Sequence, residues 1–390
     1  MDDIYARSLA LHKKLHGKIS TELKMKINDK EDLSLLYSPG VAQPCLEIKK
    51  NPDMAYEYTI KNNTVAIISD GSAVLGLGNI GALASIPVME GKAALLKSFA
   101  GINAFPLCLD TQDDEEVIKT IRNIAPVFGG INLEDFNAPR CFYIEESLQD
   151  LGIPVYHDDQ HGTAIVVLAG IINATKLLNK DKDVTIVVNG LGSAGIAITK
   201  LLVEFGYHNF RLCDKAGLIL AGELTKGDLP DLVKQISAAK NTGIDSLANA
   251  VKKADIFIGV SAANILTATM VKSMNAEPIV FALANPNPEI AYETAMAANV
   301  GVMATGRSDY PNQVNNVLVF PGLFKGALAI RAKTLNKQMM LAAAQALANI
   351  VKDDELRHDY VIPSPFNDKV CDTVAAAIKK EGIKTGVNQI

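Results

Sequence analysis

The 390-residue sequence is short of cysteine, of surplus basic charge and of long apolar runs. Its five cysteines are an odd number, scattered without C-x-x-C spacing, which argues against a disulfide frame or a zinc ribbon and for reduced, mostly buried thiols. A formal net charge of −5 and the lack of any dense basic cluster give nucleic acid no electrostatic footprint. The longest apolar stretch, Ala164 to Ile172, is stopped at Asn173, far short of a membrane span. Asp2 and Asp3 stand where a secretory signal would carry basic residues, so a cytoplasmic location is expected. What remains is a globular composition, 48% hydrophobic and 21% charged, on a chain long enough for two domains.

The most informative segment is V-T-I-V-V-N-G-L-G-S-A-G, Val184 to Gly195. A β-branched run enters the turn Gly190-Leu191-Gly192-Ser193-Ala194-Gly195. An apolar-periodic segment, Ile196 to Phe205, leaves it, and a second strand, Phe210 to Cys213, ends on Asp214. Strand, glycine turn, helix, strand and acid are the parts of a dinucleotide site in order. Gly190 permits the turn, Gly192 lets a pyrophosphate approach and Gly195 brings the helix against the sheet. The helix N-terminus, with Ser193 and Ala194, faces the phosphate charge. A glycine turn in a cofactor-free α/β domain is the competing reading. A second G-x-G-x-x-G, Gly76 to Gly81, lacks this frame, since Asp70-Gly71 precedes it and Pro87 is expected to truncate any helix after it. It reads as a tight backbone passage near substrate or as a purely structural turn.

Around these motifs, strands are expected at Val65 to Ser69, Ala104 to Leu109 and Val155-Tyr156. Helices are expected at Ile4 to Gly17, Glu115 to Ala125, Cys141 to Leu151 and Ala164 to Leu178. Later strands, Ala254 to Val260, Ile279 to Ala284 and Val300 to Ala304, end in Ser261, Asn285-Pro286-Asn287-Pro288 and Thr305-Gly306-Arg307. Those are carboxyl ends, where open parallel sheets bind ligands. The chain after Pro321 is alanine-rich and helical.

Two acid pairs stand in the first half, Glu134-Asp135 and Asp158-Asp159, in segments poor in lysine and arginine. Adjacent acids are often solvated turns. Brought together without basic partners they repel unless a hard divalent cation holds them, which fits Mg²⁺ or Mn²⁺. His157 and His161 offer a zinc alternative, but their spacing lies across an expected turn. Lys92, after Glu90-Gly91, is expected to open an apolar helix, where the dipole opposes a cation and lowers its pKa toward base function; a surface lysine is the plainer alternative. Tyr37 lies on a rigid loop before Ser38-Pro39-Gly40, where a packed tyrosine is equally compatible.

In order, L-Y-S-P-G-V, G-L-G-N-I-G, M-E-G-K, N-L-E-D-F, H-D-D-Q-H-G-T-A, V-V-N-G-L-G-S-A-G, A-L-A-N-P-N-P-E and N-Q-V-N-N-V-L-V-F-P-G resemble the malic enzymes of the short bacterial type, from about Tyr37 to Pro321. The resemblance implies a two-part α/β fold: an N-terminal α/β catalytic domain over 1–162, then a Rossmann-type, doubly wound parallel-sheet NAD(P)-binding domain with C-terminal helices over 163–390. It implies oxidative decarboxylation of malate to pyruvate and CO₂ with NAD(P) and Mg²⁺ or Mn²⁺. Tyr37 becomes the general acid and Lys92 the general base; Glu134, Asp135 and Asp159 become metal ligands, with Asp158 supporting them. Gly190, Gly192, Ser193, Ala194, Gly195, Asp214 and Ser261 would hold the cofactor, and Asn285 and Asn315 would contact both substrate and nicotinamide. Asp214 favours NAD, while Lys215 beside it leaves NADP open. The arginine that larger members carry before the L-G-L-G turn is replaced here by Ala73-Val74, and Arg307 is a stand-in to be tested. A homodimer or homotetramer is expected, the loop-rich N-terminal segment serving as arms that pack on a partner. Rival readings are a malolactic activity with retained NAD, an amino-acid dehydrogenase, which would need no metal, and a catalytically inactive dinucleotide sensor.

Overall fold

In the computed structural model, which describes residues 4–74, 76–215, 217–238 and 246–390, two separate sheets organise the chain. The first comprises β1 (Thr64–Ser69), β2 (Asn103–Cys108), β3 (Gly130–Leu133) and β4 (Val155–His157), all parallel in the order β2-β1-β3-β4. The second comprises β5 (Ile186–Asn189), β6 (Asn209–Asp214), β7 (Gly217–Glu223), β8 (Ile256–Gly259), β9 (Ile279–Ala282) and β10 (Val302–Thr305), in the order β10-β9-β8-β5-β6-β7. Its strands are parallel except for β7, which returns antiparallel along β6. From β5 the chain steps one way to β6 and later returns to β8 on the other side. The resulting switch point lies between β5 and β8, where doubly wound sheets open a crevice. This is the expected Rossmann-type α/β architecture.

The helix Asp158–Leu177 leaves β4 and leads from the first sheet toward the second. It is buried over most of its length, as an apolar-all-round helix should be. Its buried amide among the apolar residues is satisfied, since Asn173 Nδ2 donates to the Ala348 and Val361 carbonyls at 2.9 Å each. Helix Phe320–Ala329 packs against helix Lys369–Lys384 through Gly322 and Gly326, whose missing Cβ atoms would come within 2.6 and 2.5 Å of the Cys371 and Ala375 carbonyl oxygens.

Several expectations need correction. Helix Gly81–Ala100 runs straight through Pro87, so Lys92 stands in its middle and not at its start. A proline deletes one backbone bond, and the burial of Met89, Ala93 and Leu96 on the same helix outweighs that loss. Helix Asp158–Leu177 begins six residues before the first expected one, Ala164, so H-D-D-Q-H-G is a polar first turn and not a loop. Helix Arg140–Glu146 stops short of Leu151, and β7 was not anticipated. Only Cys141 and Cys213 are buried; Cys45 is exposed. The N-terminal helices Ile4–Leu15, Lys30–Leu36 and Ala42–Lys50 bury none of their side chains within the chain.

Candidate active site

Parallel pairing of β3 with β4 sets Leu133 opposite His157, so the residues just beyond each strand emerge side by side. Those residues are Glu134-Asp135 and Asp158-Asp159. One carboxylate oxygen from each of Glu134, Asp135 and Asp159 lies within 4.8 Å of the others. Glu134 and Asp135 are each 3% exposed. The Asp135 backbone N–H donates to Asp159 Oδ2 at 2.8 Å, and Asp135 adopts φ +59°, a strained conformation for a non-glycine residue and one typical of functional sites. Asn132 Nδ2 donates to Glu134 Oε2 at 2.9 Å, which aims that carboxylate. Among the described residues this group contains no histidine. The His157 ring is buried near Phe136, and His161 pairs with Glu145 at 2.9 Å, so neither supports the zinc alternative. Three hard oxygen donors fit Mg²⁺ or Mn²⁺ in donor chemistry.

Lys92 points into this cluster. Its Nζ is 2.9 Å from Glu134 Oε1, forms a close ion pair with Asp158 Oδ2, and stands 4.6 Å from the Phe320 ring centroid. Burial alone would lower the Lys92 ammonium, but Asp158, then Glu134 and Asp159, more than reverse this and hold it above its ordinary value. The expected lowering by a helix start does not occur, because Lys92 lies mid-helix among acids. Burial raises Glu134 well above the usual carboxylate range despite Lys92, and burial raises Asp158 in the same way. Gly162 makes room for the pair: a Cβ there would lie 2.0 Å from Asp158 Oδ1. The second glycine motif also converges here. Ala73 N–H donates to the Asp135 carbonyl at 2.9 Å, and a Cβ on Gly76 would meet the Asn285 carbonyl at 2.9 Å. The backbone passage at Gly76 is tight, as one of the two alternatives has it.

Beyond the carboxyl ends of β5 and β8 lies a cleft of about 1030 Å³. Gly190, Leu191, Gly192, Asp214, Lys215 and Ser261 line it, with Pro139 and Phe142 closing it from the first sheet's side. Gly190 has φ +104°, and a Cβ on Gly195 would fall 1.8 Å from the Gly190 carbonyl oxygen, which accounts for both glycines. Gly192 has open space where a Cβ would stand. As the N-cap of helix Ser193–Phe205 it supplies no side-chain cap, so the first-turn amides, those of Ser193 and Ala194 among them, remain available to an anion. Asn189 Nδ2 donates to Ser261 Oγ at 2.6 Å, and Asp214 Oδ1 accepts from the Lys215 N–H at 2.8 Å.

Asn285 follows β9 by a few residues and is half-buried. Asn315 caps the turn Asn316–Leu318, its Oδ1 accepting from Val317 N–H at 3.0 Å; that leaves its amide NH₂ as a donor. Asn316 stands beside Gly162, its Cβ 3.0 Å from where a Gly162 Cβ would be. Tyr37 is not drawn into the cluster: it is 68% exposed, and its side chain has no hydrogen bond to Lys92 or the acids. Arg307 is committed to Asp309 through Nε at 2.8 Å and Nη2 at 2.6 Å, which weakens its case as a substituted substrate clamp.

Two buried glutamates were missed in the sequence. Glu289, in A-N-P-N-P-E, accepts from Ser261 and Ala284 N–H at 3.0 Å each and ties the ends of β8 and β9; Gly259 leaves space for its carboxyl group. Glu145 lies behind Asp158-Asp159. Nothing in the local text marks either one; the only available signal is that Glu289 closes a proline-rich turn at a strand end.

Residues 16–149 match the family profile described as "Malic enzyme, N-terminal domain", and residues 160–383 match "Malic enzyme, NAD binding domain". The chain is 51% identical over 389 residues to a bifunctional malic/malolactic enzyme of Bacillus subtilis, covering 98% of this chain and 94% of that protein. It is 52% identical to an NAD-dependent malic enzyme of Geobacillus stearothermophilus, covering 98% and 79%. The crystal structure of an NAD-dependent malic enzyme from Thermotoga maritima superposes with a TM-score of 0.88 at 45% identity, covering 95% of this chain and 98% of that one.

Proposed function

The chain belongs to the malic enzyme family of oxidoreductases, with a nicotinamide-dinucleotide domain, and on that premise we propose that it oxidises (S)-malate and releases pyruvate and CO₂, using NAD and a divalent cation. The observation that carries this reading is Lys92 held between Glu134 and Asp158, beside a three-carboxylate group, at the carboxyl edge of the first sheet.

The reaction asks for removal of the C2 hydroxyl proton, stabilisation of the enolate left when CO₂ departs, and a proton for C3. Lys92 is the base for the first step, and Asp158 orients its Nζ and takes part of its charge. Glu134, Asp135 and Asp159 hold the cation. With Glu134 shared in that way, its pull on the Lys92 proton relaxes and the lysine falls toward base function. When bound, the cation would supply Lewis-acid polarisation of the C2 oxygen and the nicotinamide would supply the hydride acceptor. The amide groups of Asn285, whose Nδ2 also donates to the Leu283 carbonyl at 3.3 Å, and of Asn315 receive the substrate carboxylates.

Tyr37 is assigned the protonation of C3. It stands in the exposed N-terminal segment with apolar neighbours Leu33, Leu35 and Leu36 also exposed. Packing of that segment on a second copy, as a homodimer or homotetramer, would cover these side chains and bring Tyr37 out of bulk water. Asp214 favours NAD by accepting from a ribose 2′-hydroxyl, and Lys215 leaves NADP as a weaker alternative. The catalytic part is assigned to 1–162 and the nucleotide-binding part to 163–390. Among the described residues no helix is long and apolar enough to cross a membrane.

A second reading is malolactic conversion, in which lactate leaves and NAD is regenerated in place; the name of the Bacillus subtilis relative favours keeping it. Incubation with malate, Mn²⁺ and NAD or NADP decides between them. Equimolar NADH and pyruvate is the expected result, faster with NAD. Lactate without net NADH moves the assignment to the second reading, and absence of both products overturns both.

A further inference from the structure

Helix Asp158–Leu177 starts with two carboxylates in its first turn, yet its N-cap, His157, provides no side-chain cap. Carboxylates are favoured near a helix N-terminus, but these two are aimed at different partners, Asp158 at Lys92 and Asp159 at the Asp135 N–H, so a group that fixes the turn sets both directions. The group that does so comes from another element, helix Arg140–Glu146. Glu145, 9% exposed, accepts from the His157 backbone N–H at 3.0 Å, from Gln160 Nε2 at 3.1 Å and from His161 Nε2 at 2.9 and 3.0 Å. These three partners bracket Asp158 and Asp159 on both sides in sequence.

We propose that Glu145 is a positioning residue for the metal-binding carboxylates: it locks the first turn of the Asp158–Leu177 helix so that Asp159 meets Glu134 and Asp135, and Asp158 meets Lys92. The inference rests on the metal-dependent reading above. Its chemistry is specific. A fifth carboxylate behind Glu134, Asp135, Asp158 and Asp159 would add repulsion if it were free, and here its charge is spent on three donors, one of them a ring nitrogen. An apolar residue at 145 would leave the His157 amide and the Gln160 side chain without their acceptor. The glutamate therefore fixes direction: without it the turn can rotate, and the separation between the Asp159 and Asp135 oxygens is no longer set. His161, which the sequence offered as a zinc ligand, is in this arrangement the counter-group of Glu145.

Direct Mn²⁺ titration of the full chain, followed by loss of the free-ion electron paramagnetic resonance signal, tests this without turnover. Wild-type protein is expected to bind one Mn²⁺ per chain. Glu145→Gln, which keeps the shape but loses the charge, is expected to weaken Mn²⁺ by about 10–100-fold, the usual effect of losing an outer partner of a metal site, while NAD affinity measured by titration calorimetry stays within about twofold. His161→Leu should weaken Mn²⁺ in the same direction, and the double variant should lose no more than the worse single variant, because both act through one contact. Unchanged Mn²⁺ affinity in Glu145→Gln overturns the inference and leaves the function standing. A fall in NAD affinity equal to that for Mn²⁺ also overturns it, since that marks a general loss of structure. Failure of the wild type to bind Mn²⁺ overturns the metal-dependent reading and the inference with it.

Discussion

Replacing Lys92 by methionine would remove the one cation that, among the described residues, pairs with the buried acids Glu134 and Asp158, while keeping the length and most of the volume of the side chain. Glu134 and Asp158 are 3% and 0% exposed, so their charges lose a partner that water cannot replace. Breaking a buried ion pair from one side costs about 3–5 kcal/mol when the remaining charge stays ionised. The acids have an escape, which is to take up a proton. Burial already raises both above their ordinary values with Lys92 present, and its removal raises them further. A carboxyl group whose folded pKa exceeds its unfolded one binds protons preferentially in the fold. The cost of its bare charge is therefore absent below the unfolded value and grows as pH rises toward the folded one. Lys92 is itself held above its ordinary value, so its own contribution is full throughout the acidic and neutral range. Urea unfolding in EDTA should accordingly show Lys92→Met destabilised by about 3–5 kcal/mol near pH 8 and clearly less near pH 5. Malate oxidation should fall by about 10²–10⁴-fold, the usual contribution of a general base. Equal destabilisation at the two pH values would refute the buried-charge argument, and a near-normal rate would refute the base assignment.

Tyr37→Phe should impair protonation more than oxidation: exchange of pyruvate C3 protons with deuterated water is expected to drop, and unchanged exchange would remove Tyr37 from the acid role. Asp214→Ser should weaken NAD and admit NADP, because the carboxylate that repels a 2′-phosphate is gone while Lys215 remains to pair with it; an unaltered ratio of initial rates would show that Asp214 does not face the adenosine ribose.

The nucleotide half was the more legible because its signal is local. Strand, glycine turn, helix and Asp214 follow one another within 31 residues, from Val184 to Asp214, and the glycine spacing reports a local constraint, the Gly190 carbonyl lying where a Cβ on Gly195 would stand. The acid cluster was legible for another reason: two pairs close two neighbouring parallel strands, and parallel pairing brings strand ends together. Lys92 was found for a reason that did not survive. Pro87 and Gly91 read as breakers, yet packing against the first sheet carries the helix across both, and the lysine reaches the acids from mid-helix. The start of helix Asp158–Leu177 was misplaced because its first turn is polar on the face that meets the site, so apolar periodicity begins only at Ala164. Glu145 was not legible, and Glu289 only as the residue that closes a proline-rich turn. Each is buried by a contact with a distant or backbone group, and a glutamate next to Glu146 or after a proline looks the same in text whether it faces water or core.

The proposed mechanism stands on one divalent cation shared by Glu134, Asp135 and Asp159, and a crystal grown with Mn²⁺ is its sharpest test. The account predicts a single anomalous peak per chain within about 2.0–2.4 Å of an oxygen from each of the three side chains, the range for hard cations on carboxylates, and its loss in Asp159→Asn with the fold intact. A manganese peak elsewhere, or full malate turnover in excess EDTA, would contradict it.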